Sequence, residues 1–114
     1  MSYKVVYTPE FGKEIKRLQK KYPSLLEDFS RFIGKLAVNP EQGISLGNNC
    51  YKVRLAITSK GKGRSGGARV ITCIQVVMET VILVSVYDKS EQVTISDKEI
   101  KARLTKYLGG NKML

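Results

Sequence analysis

Tyr3, Val5 and Tyr7 alternate with Lys4 and Val6, a period of two that predicts a short opening strand. The period then changes. Thr8-Pro9-Glu10 reads as a helix start, with Thr8 as N-cap and Pro9 in the first helical position. Phe11, Ile15, Leu18 and Tyr22 follow at helical spacing, with Lys13, Lys16, Arg17, Lys20 and Lys21 on the other face. Pro23 ends that run. Ser24 and Glu27 have capping-box spacing and open a second helix, whose apolar set is Leu25, Leu26, Phe29, Phe32, Ile33, Leu36 and Ala37. Asn39-Pro40 stops it. Two amphipathic helices joined this tightly form an antiparallel hairpin, and their aromatic stripe is ordinary core.

Residues 41–50, with Gly43, Gly47, Asn48 and Asn49, read as loop. From Tyr51 the period is two again: Tyr51, Val53, Leu55 and Ile57 point one way, Lys52, Arg54 and Ala56 the other. Two cations therefore stand side by side on one sheet face. Ser59 to Gly67 is a charged, glycine-rich hairpin tip. Ala68 to Val77 and Val81 to Tyr87 are rich in Val, Ile and Leu, as central strands are, with Met78-Glu79-Thr80 as a tight connection. The last element is a helix. Ser96 and Glu99 form its capping box, Ile95 and Ile100 a hydrophobic staple, and Ile100, Leu104, Tyr107 and Leu108 its buried stripe. Gly109-Gly110 is its expected stop. The order is β-α-α-β-β-β-α, an α+β domain in which an N-terminal helical hairpin packs on a central antiparallel sheet with a C-terminal helix. A single domain over residues 1–114 is expected, since the length and the 42% apolar content suit one core.

Charge changes the picture. Twenty Lys+Arg face ten Asp+Glu, a net +10, and the excess is unevenly placed. Residues 42–78 hold Lys52, Arg54, Lys60, Lys62, Arg64 and Arg69 with no acid, so this third of the chain supplies +6. A cluster of one sign attracts a polyanion, and nucleic acid is the expected partner. Met1 to Tyr7 lack the order of a secretory signal, and no apolar run approaches the ~18 residues of a membrane span. A cytoplasmic protein with no membrane partner is expected. Cys50 and Cys73 are too few for a disulfide framework and are expected as reduced, semi-buried thiols. With zero histidines, neither a metal site nor a cofactor is expected. The glycine-rich tip has no P-loop order and precedes a strand, so it is either a phosphate-grasping tip, with Lys60, Lys62 and Arg64 as RNA-binding cations, or a solvated hairpin.

Three segments in order carry a resemblance: Cys50-Tyr51-Lys52-Val53-Arg54-Leu55, then Gly66-Gly67-Ala68-Arg69-Val70-Ile71, then Val84-Ser85-Val86-Tyr87-Asp88-Lys89-Ser90-Glu91. With the two opening helices and the closing one, the chain resembles the RelE/ParE toxin superfamily over essentially its whole length, and within it the HigB-like, RelE-like branch. The resemblance implies the toxin of a type II toxin–antitoxin module, an mRNA interferase that enters the ribosomal A site and cleaves mRNA there. A ribose 2′-hydroxyl attacks the adjacent phosphate and expels the 5′-oxygen of the next nucleotide. It also implies a cognate antitoxin, DNA-binding and encoded next door, with the ribosome and mRNA as the other partners. The catalytic cations would fall on Lys52, Arg54, Arg69 and Lys89. Tyr87, two residues before Lys89, would share that side chain's face and contact the RNA.

The chemistry of the residues agrees with this placement. Internal cleavage needs a base for the 2′-OH, cations for the phosphorane and an acid for the leaving oxygen. Lys52, flanked on its face by Arg54, is the candidate base. Arg54 and Arg69 keep their protons and offer forked contacts to phosphate. Lys89 is the candidate acid or second clamp. Some RelE members carry a tyrosine just beyond the last catalytic cation; residues 90–95 here hold none, so either Tyr87 or Glu91 takes over, or cutting is slower. A plainer alternative makes Asp88, Lys89 and Glu91 a surface ion pair beside a turn. Two rival functions stand beside the nuclease. A ParE-like toxin inhibits DNA gyrase without this cationic set. A generic RNA-binding module would need interleaved aromatics that the sequence does not have.

Overall fold

The computed structural model describes residues 2–60 and 66–111. Among them, five strands and three α-helices follow in the order β1 (Lys4–Tyr7), α1 (Pro9–Lys21), α2 (Leu25–Val38), β2 (Ile44–Gly47), β3 (Cys50–Leu55), β4 (Ala68–Gln75), β5 (Thr80–Asp88) and α3 (Asp97–Asn111). A 3-10 turn, Thr58–Lys60, follows β3. The strands form one sheet in the order β1-β5-β4-β3-β2. The α+β architecture expected from the sequence is therefore present. No helix among the described residues is long and apolar enough to cross a membrane.

The sheet has two covered faces. On one, α1 and α2 place Phe11, Leu18, Leu25 and Leu36 against Leu55, Val70, Val81, Leu83 and Val86, all buried. On the other, α3 places Ile100 against Ile71, Cys73, Ile82, Val84 and Tyr87, with Leu104, Tyr107 and Leu108 packed around them. This is why β4 and β5 are buried at nearly every position: each face meets a helix layer.

Four details differ from the sequence expectation. The stretch read as loop contains β2, an edge strand joined to β3 through Asn48 and Asn49, whose φ values of 52° and 61° suit a two-residue hairpin turn. At four residues and largely exposed, β2 carries no periodic signal. The sheet is mixed, because β1 pairs in parallel with β5, Lys4 against Thr80 through Tyr7 against Leu83. Helix α3 continues through Gly109 to Asn111. Glycine also accepts right-handed helical angles, at a cost of only ~1 kcal/mol per residue. Lastly, Cys50 and Cys73 are not free thiols. They face each other across β3 and β4 and form a disulfide, with Cα atoms 4.0 Å apart.

The helix starts follow the sequence in part. Thr8 caps α1 as expected, its Oγ1 accepting from the Phe11 N–H at 3.1 Å. Ser96 accepts from the Glu99 N–H at 3.1 Å at the start of α3. Ser24, by contrast, makes no side-chain cap on α2. Its hydroxyl donates to Asp28 Oδ2 at 2.8 Å and accepts from the Ser59 N–H at 2.8 Å, so a tertiary partner 35 residues away has taken the group.

Candidate active site

Strand register builds the site. Arg54 lies directly opposite Arg69 on β4, and Arg69 lies opposite Tyr87 on β5. Two pairs along, Lys52 opposes Ile71, which opposes Ser85. Opposed residues share a face, so Lys52, Arg54, Arg69 and Tyr87 all stand on the α3 side of the sheet. The phase of the ladder tightens this grouping. The Ile74 N–H donates to Asn49 O at 2.8 Å, which makes Cys50–Cys73, Lys52–Ile71 and Arg54–Arg69 the narrow, non-hydrogen-bonded pairs, where side chains approach closest. Two guanidinium stems in a narrow pair repel each other, and an anion between them removes that repulsion. Arg54 is exposed and Lys52 half-buried, while Arg69 keeps only 6% of its surface and donates from Nη1 to Ala68 O at 3.2 Å.

A bulge aligns Tyr87 with this group. The register of β4 and β5 shifts between Ile71 and Thr72: Ile71 pairs with Ser85, yet Thr72 pairs with Leu83. Val81 and Leu83 face the α1–α2 layer, so strict alternation would send Tyr87 there too. The extra residue reverses the phase, and it is Val86 that joins that layer while Tyr87 joins Arg69. The bulge is held from the side where β1 has ended. Glu14 Oε1 accepts from Ser85 Oγ and the Val86 N–H, both at 3.1 Å, and Arg103 donates to Val84 O at 3.1 Å and to Glu14 at 3.0 Å. These groups take the place of the missing strand partner. Burial works against the Arg103 charge, but the carboxylates of Glu14 and Glu99 raise its pKa above the ordinary value.

The same phase change sends Asp88 to the opposite face, fully buried. Its Oδ1 accepts from Lys60 Nζ at 2.9 Å, the Ser90 N–H at 2.9 Å and Ser90 Oγ at 2.7 Å, while Oδ2 accepts from the Tyr22 hydroxyl. Burial opposes ionisation, but these donors outweigh it and hold the carboxyl well below the usual carboxylate range. Burial likewise pulls the Lys60 pKa down, and Asp88 more than restores it. A phosphate meeting Lys60 would have to compete with Asp88 for the ammonium. Lys62 and Arg64 lie outside the described residues. Lys89 is exposed just past the end of β5, its N–H donating to Gly67 O at 3.3 Å. Tyr87 is 2% exposed, with its hydroxyl turned to Val93 O at 3.4 Å. Glu91 is paired with Arg17 and Lys21, each at 2.8 Å, and the Arg17 hydrogen bond leads in lowering its pKa.

Sequence reading grouped Lys52 with Arg54 but did not single out the groups that hold the bulge and the end of β5: Glu14, Arg103 and Asp88. Asp88 stood inside a quoted segment, yet only its burial distinguishes it from a turn residue. Helix α3 and the β2–β3 hairpin enclose an open cleft of about 680 Å³, with Leu46, Cys50, Ile100, Leu104 and Leu108 in its walls; none of Lys52, Arg54, Arg69 and Lys89 lines it.

No protein-family model matches the sequence, and no curated protein matches it. Solved structures do. A double arginine-to-alanine mutant of the Escherichia coli toxin RelE in the free state aligns with a TM-score of 0.62 at 18% identity, over 95% of this chain and 99% of that one. The isolated E. coli RelE toxin aligns with a TM-score of 0.59 at 17% identity, over 93% and 98%. The toxin–antitoxin complex RelBE2 from Mycobacterium tuberculosis aligns with a TM-score of 0.57 at 18% identity, over 77% and 92%. The chain has the RelE-like fold.

Proposed function

We propose that this protein is the toxin of a toxin–antitoxin pair, and that it cleaves mRNA on the ribosome without a metal or cofactor. One observation carries the reading: Lys52, Arg54 and Arg69 converge with Tyr87 on one sheet face, and the two arginines occupy a narrow pair. Cations so placed are suited to a phosphate whose charge grows as a 2′-oxygen attacks it. In this scheme Lys52 takes the 2′-OH proton. Arg54 and Arg69 hold the phosphorane oxygens in forked contacts. Lys89, exposed just past β5, donates to the departing 5′-oxygen or grips the next phosphate. Lys60, Lys62 and Arg64 contribute charge toward flanking phosphates. Tyr87 forms the wall beside Arg69. The RelE-like fold supports the reading, and the antitoxin partner is taken from the neighbour described as a toxin–antitoxin complex.

The test is cleavage of one mRNA in two settings. Purified protein should cut it on programmed ribosomes and leave it largely intact when naked, because the face offers cations but no exposed aromatic platform for free bases. Rapid cutting of naked RNA would indicate a conventional ribonuclease. No cutting in either setting, together with growth arrest and inhibited gyrase, would replace the nuclease with a gyrase poison.

A further inference from the structure

We infer that Asp88 is a positioning residue: its carboxylate fixes, in one place, both loops that border the cationic face. The inference rests on the proposed nuclease reading. At this end of the sheet Leu55 leaves β3, Ala68 enters β4 and Asp88 ends β5, all in one register row. The loop after β3 carries the basic segment, and the loop after β5 carries Lys89. Asp88 holds the first through Lys60 at 2.9 Å and the second through the N–H and hydroxyl of Ser90, at 2.9 and 2.7 Å. Tyr22, at the junction of α1 and α2, donates to the other oxygen and ties both loops to the helical layer. The Lys60 ammonium also lies 5.3 Å from the centre of the Tyr22 ring, a second attraction of the same geometry.

A plain surface ion pair does not look like this. The carboxylate is fully buried, and the Lys60 side chain keeps 11% of its exposure. The anchoring extends to the backbone on both sides. Glu91 N–H and Gln92 N–H donate to Asp88 O at 3.0 and 3.1 Å, closing the turn that presents Lys89. Gly67 O accepts from the Lys89 N–H, and a Cβ at Gly67 would stand 2.3 Å from Leu55 O, so the far end of the basic loop is pressed against the same row. Moving the carboxylate moves Lys60 and Lys89 relative to Arg54 and Arg69, the groups that meet the reacting phosphate.

Charge and positioning predict opposite outcomes, which makes the inference testable. Asp88→Asn removes one negative charge, so electrostatics alone predicts equal or tighter RNA binding and undiminished cleavage. Positioning predicts a single-turnover rate on saturating programmed ribosomes that falls ten-fold or more, with ribosome affinity unchanged or tighter. A merely structural role would lower the fraction of active molecules without changing the rate of those that remain, so burst amplitude is read beside the rate. Tyr22→Phe and Lys60→Gln keep the fold within reach if Asp88→Asn does not. Each should slow cleavage three-fold or more, and in the Lys60→Gln background Asp88→Asn should add little. Rates within two-fold of the unsubstituted protein in folded variants overturn the inference. Absence of cleavage by the unsubstituted protein overturns the nuclease reading and this inference with it.

Discussion

In the proposed mechanism the chemistry turns on Arg69. It sits between Arg54 and Tyr87 in the register row, and its burial leaves the guanidinium little freedom. Arg69→Ala should lower single-turnover cleavage by about 10² or more, as loss of a strong transition-state donor does. Ribosome affinity should fall far less, since one phosphate contact among several contributes little to binding. Arg69→Lys should restore only part of the rate, because an ammonium cannot replace the planar fork. Full toxicity of folded Arg69→Ala protein in growing cells would argue for a gyrase target. The carboxylates allow a second prediction. Asp28, Asp88 and Glu91 are all held below their ordinary values: Asp28 and Asp88 against the effect of burial, by their donors, and Glu91 chiefly by Arg17. A carboxylate with a depressed folded-state pKa stabilises fully above its unfolded value, near ~4, and loses that contribution as pH falls below it. Denaturant midpoints should therefore hold from neutrality to about pH 5 and decline in more acid solution. An unchanged midpoint at about pH 3 would mean these carboxylates add nothing to stability.

Among the elements, the bulged stretch of β5 has the largest consequences. It places Tyr87 with the cations and Asp88 with Tyr22, and it depends on Glu14 from α1 and Arg103 from α3. Glu14→Ala removes the acceptor of the Val86 N–H and the partner of Arg103. The expected cost is on the order of 2 kcal/mol, read from urea unfolding, with faster hydrogen exchange at the Val86 amide. Unaltered exchange at Val86 would show that the bulge holds without Glu14. The β3–β4 pair carries a second constraint. Cys50 and Cys73 are 23 residues apart in sequence, and closing such a loop in the unfolded chain costs it roughly 3 kcal/mol of entropy in the chain-entropy account, which stabilises the fold. Dithiothreitol should lower the urea midpoint accordingly, and a Cys50→Ala/Cys73→Ala protein should not respond to it. Equal stability with and without reductant in the unsubstituted protein would contradict this.

At the scale of the molecule, charge is distributed over two sides. The cationic face looks past α3, while the exposed Lys13, Lys16 and Lys20 of α1 lie on the opposite helical layer. If six to eight cations meet phosphates, log affinity against log salt should have a slope on the order of −4 to −8. Lys62→Ala and Arg64→Ala should each flatten it by roughly one unit while sparing the chemical step. Lys60→Ala should behave differently, costing stability through the exposed need of Asp88 for a partner more than it changes the slope. A slope near zero would make the basic middle third a solvated surface.

Short-range information was legible in the sequence because its cause is local. The spacing of Phe11, Ile15 and Leu18, the Thr8 and Ser96 caps, and the alternation from Tyr51 each depend on a few neighbouring residues, and each element formed as those residues dictate. The grouping of Lys52 with Arg54 was equally readable, since residues two apart on a strand must share a face. What joined Arg69 and Tyr87 to them was not. That required the pairing register of three strands and a bulge whose supports come from Glu14 and Arg103, 89 residues apart. The capping-box spacing of Ser24 was misleading because a buried Asp28 and the Ser59 amide compete for the same hydroxyl. The cysteines are likewise joined only because β3 and β4 pair them in a narrow position. Periodicity decides which face a side chain takes within its own element. Which partner that face meets, and on which side of a bulge it emerges, is set by contacts that only the folded chain brings together.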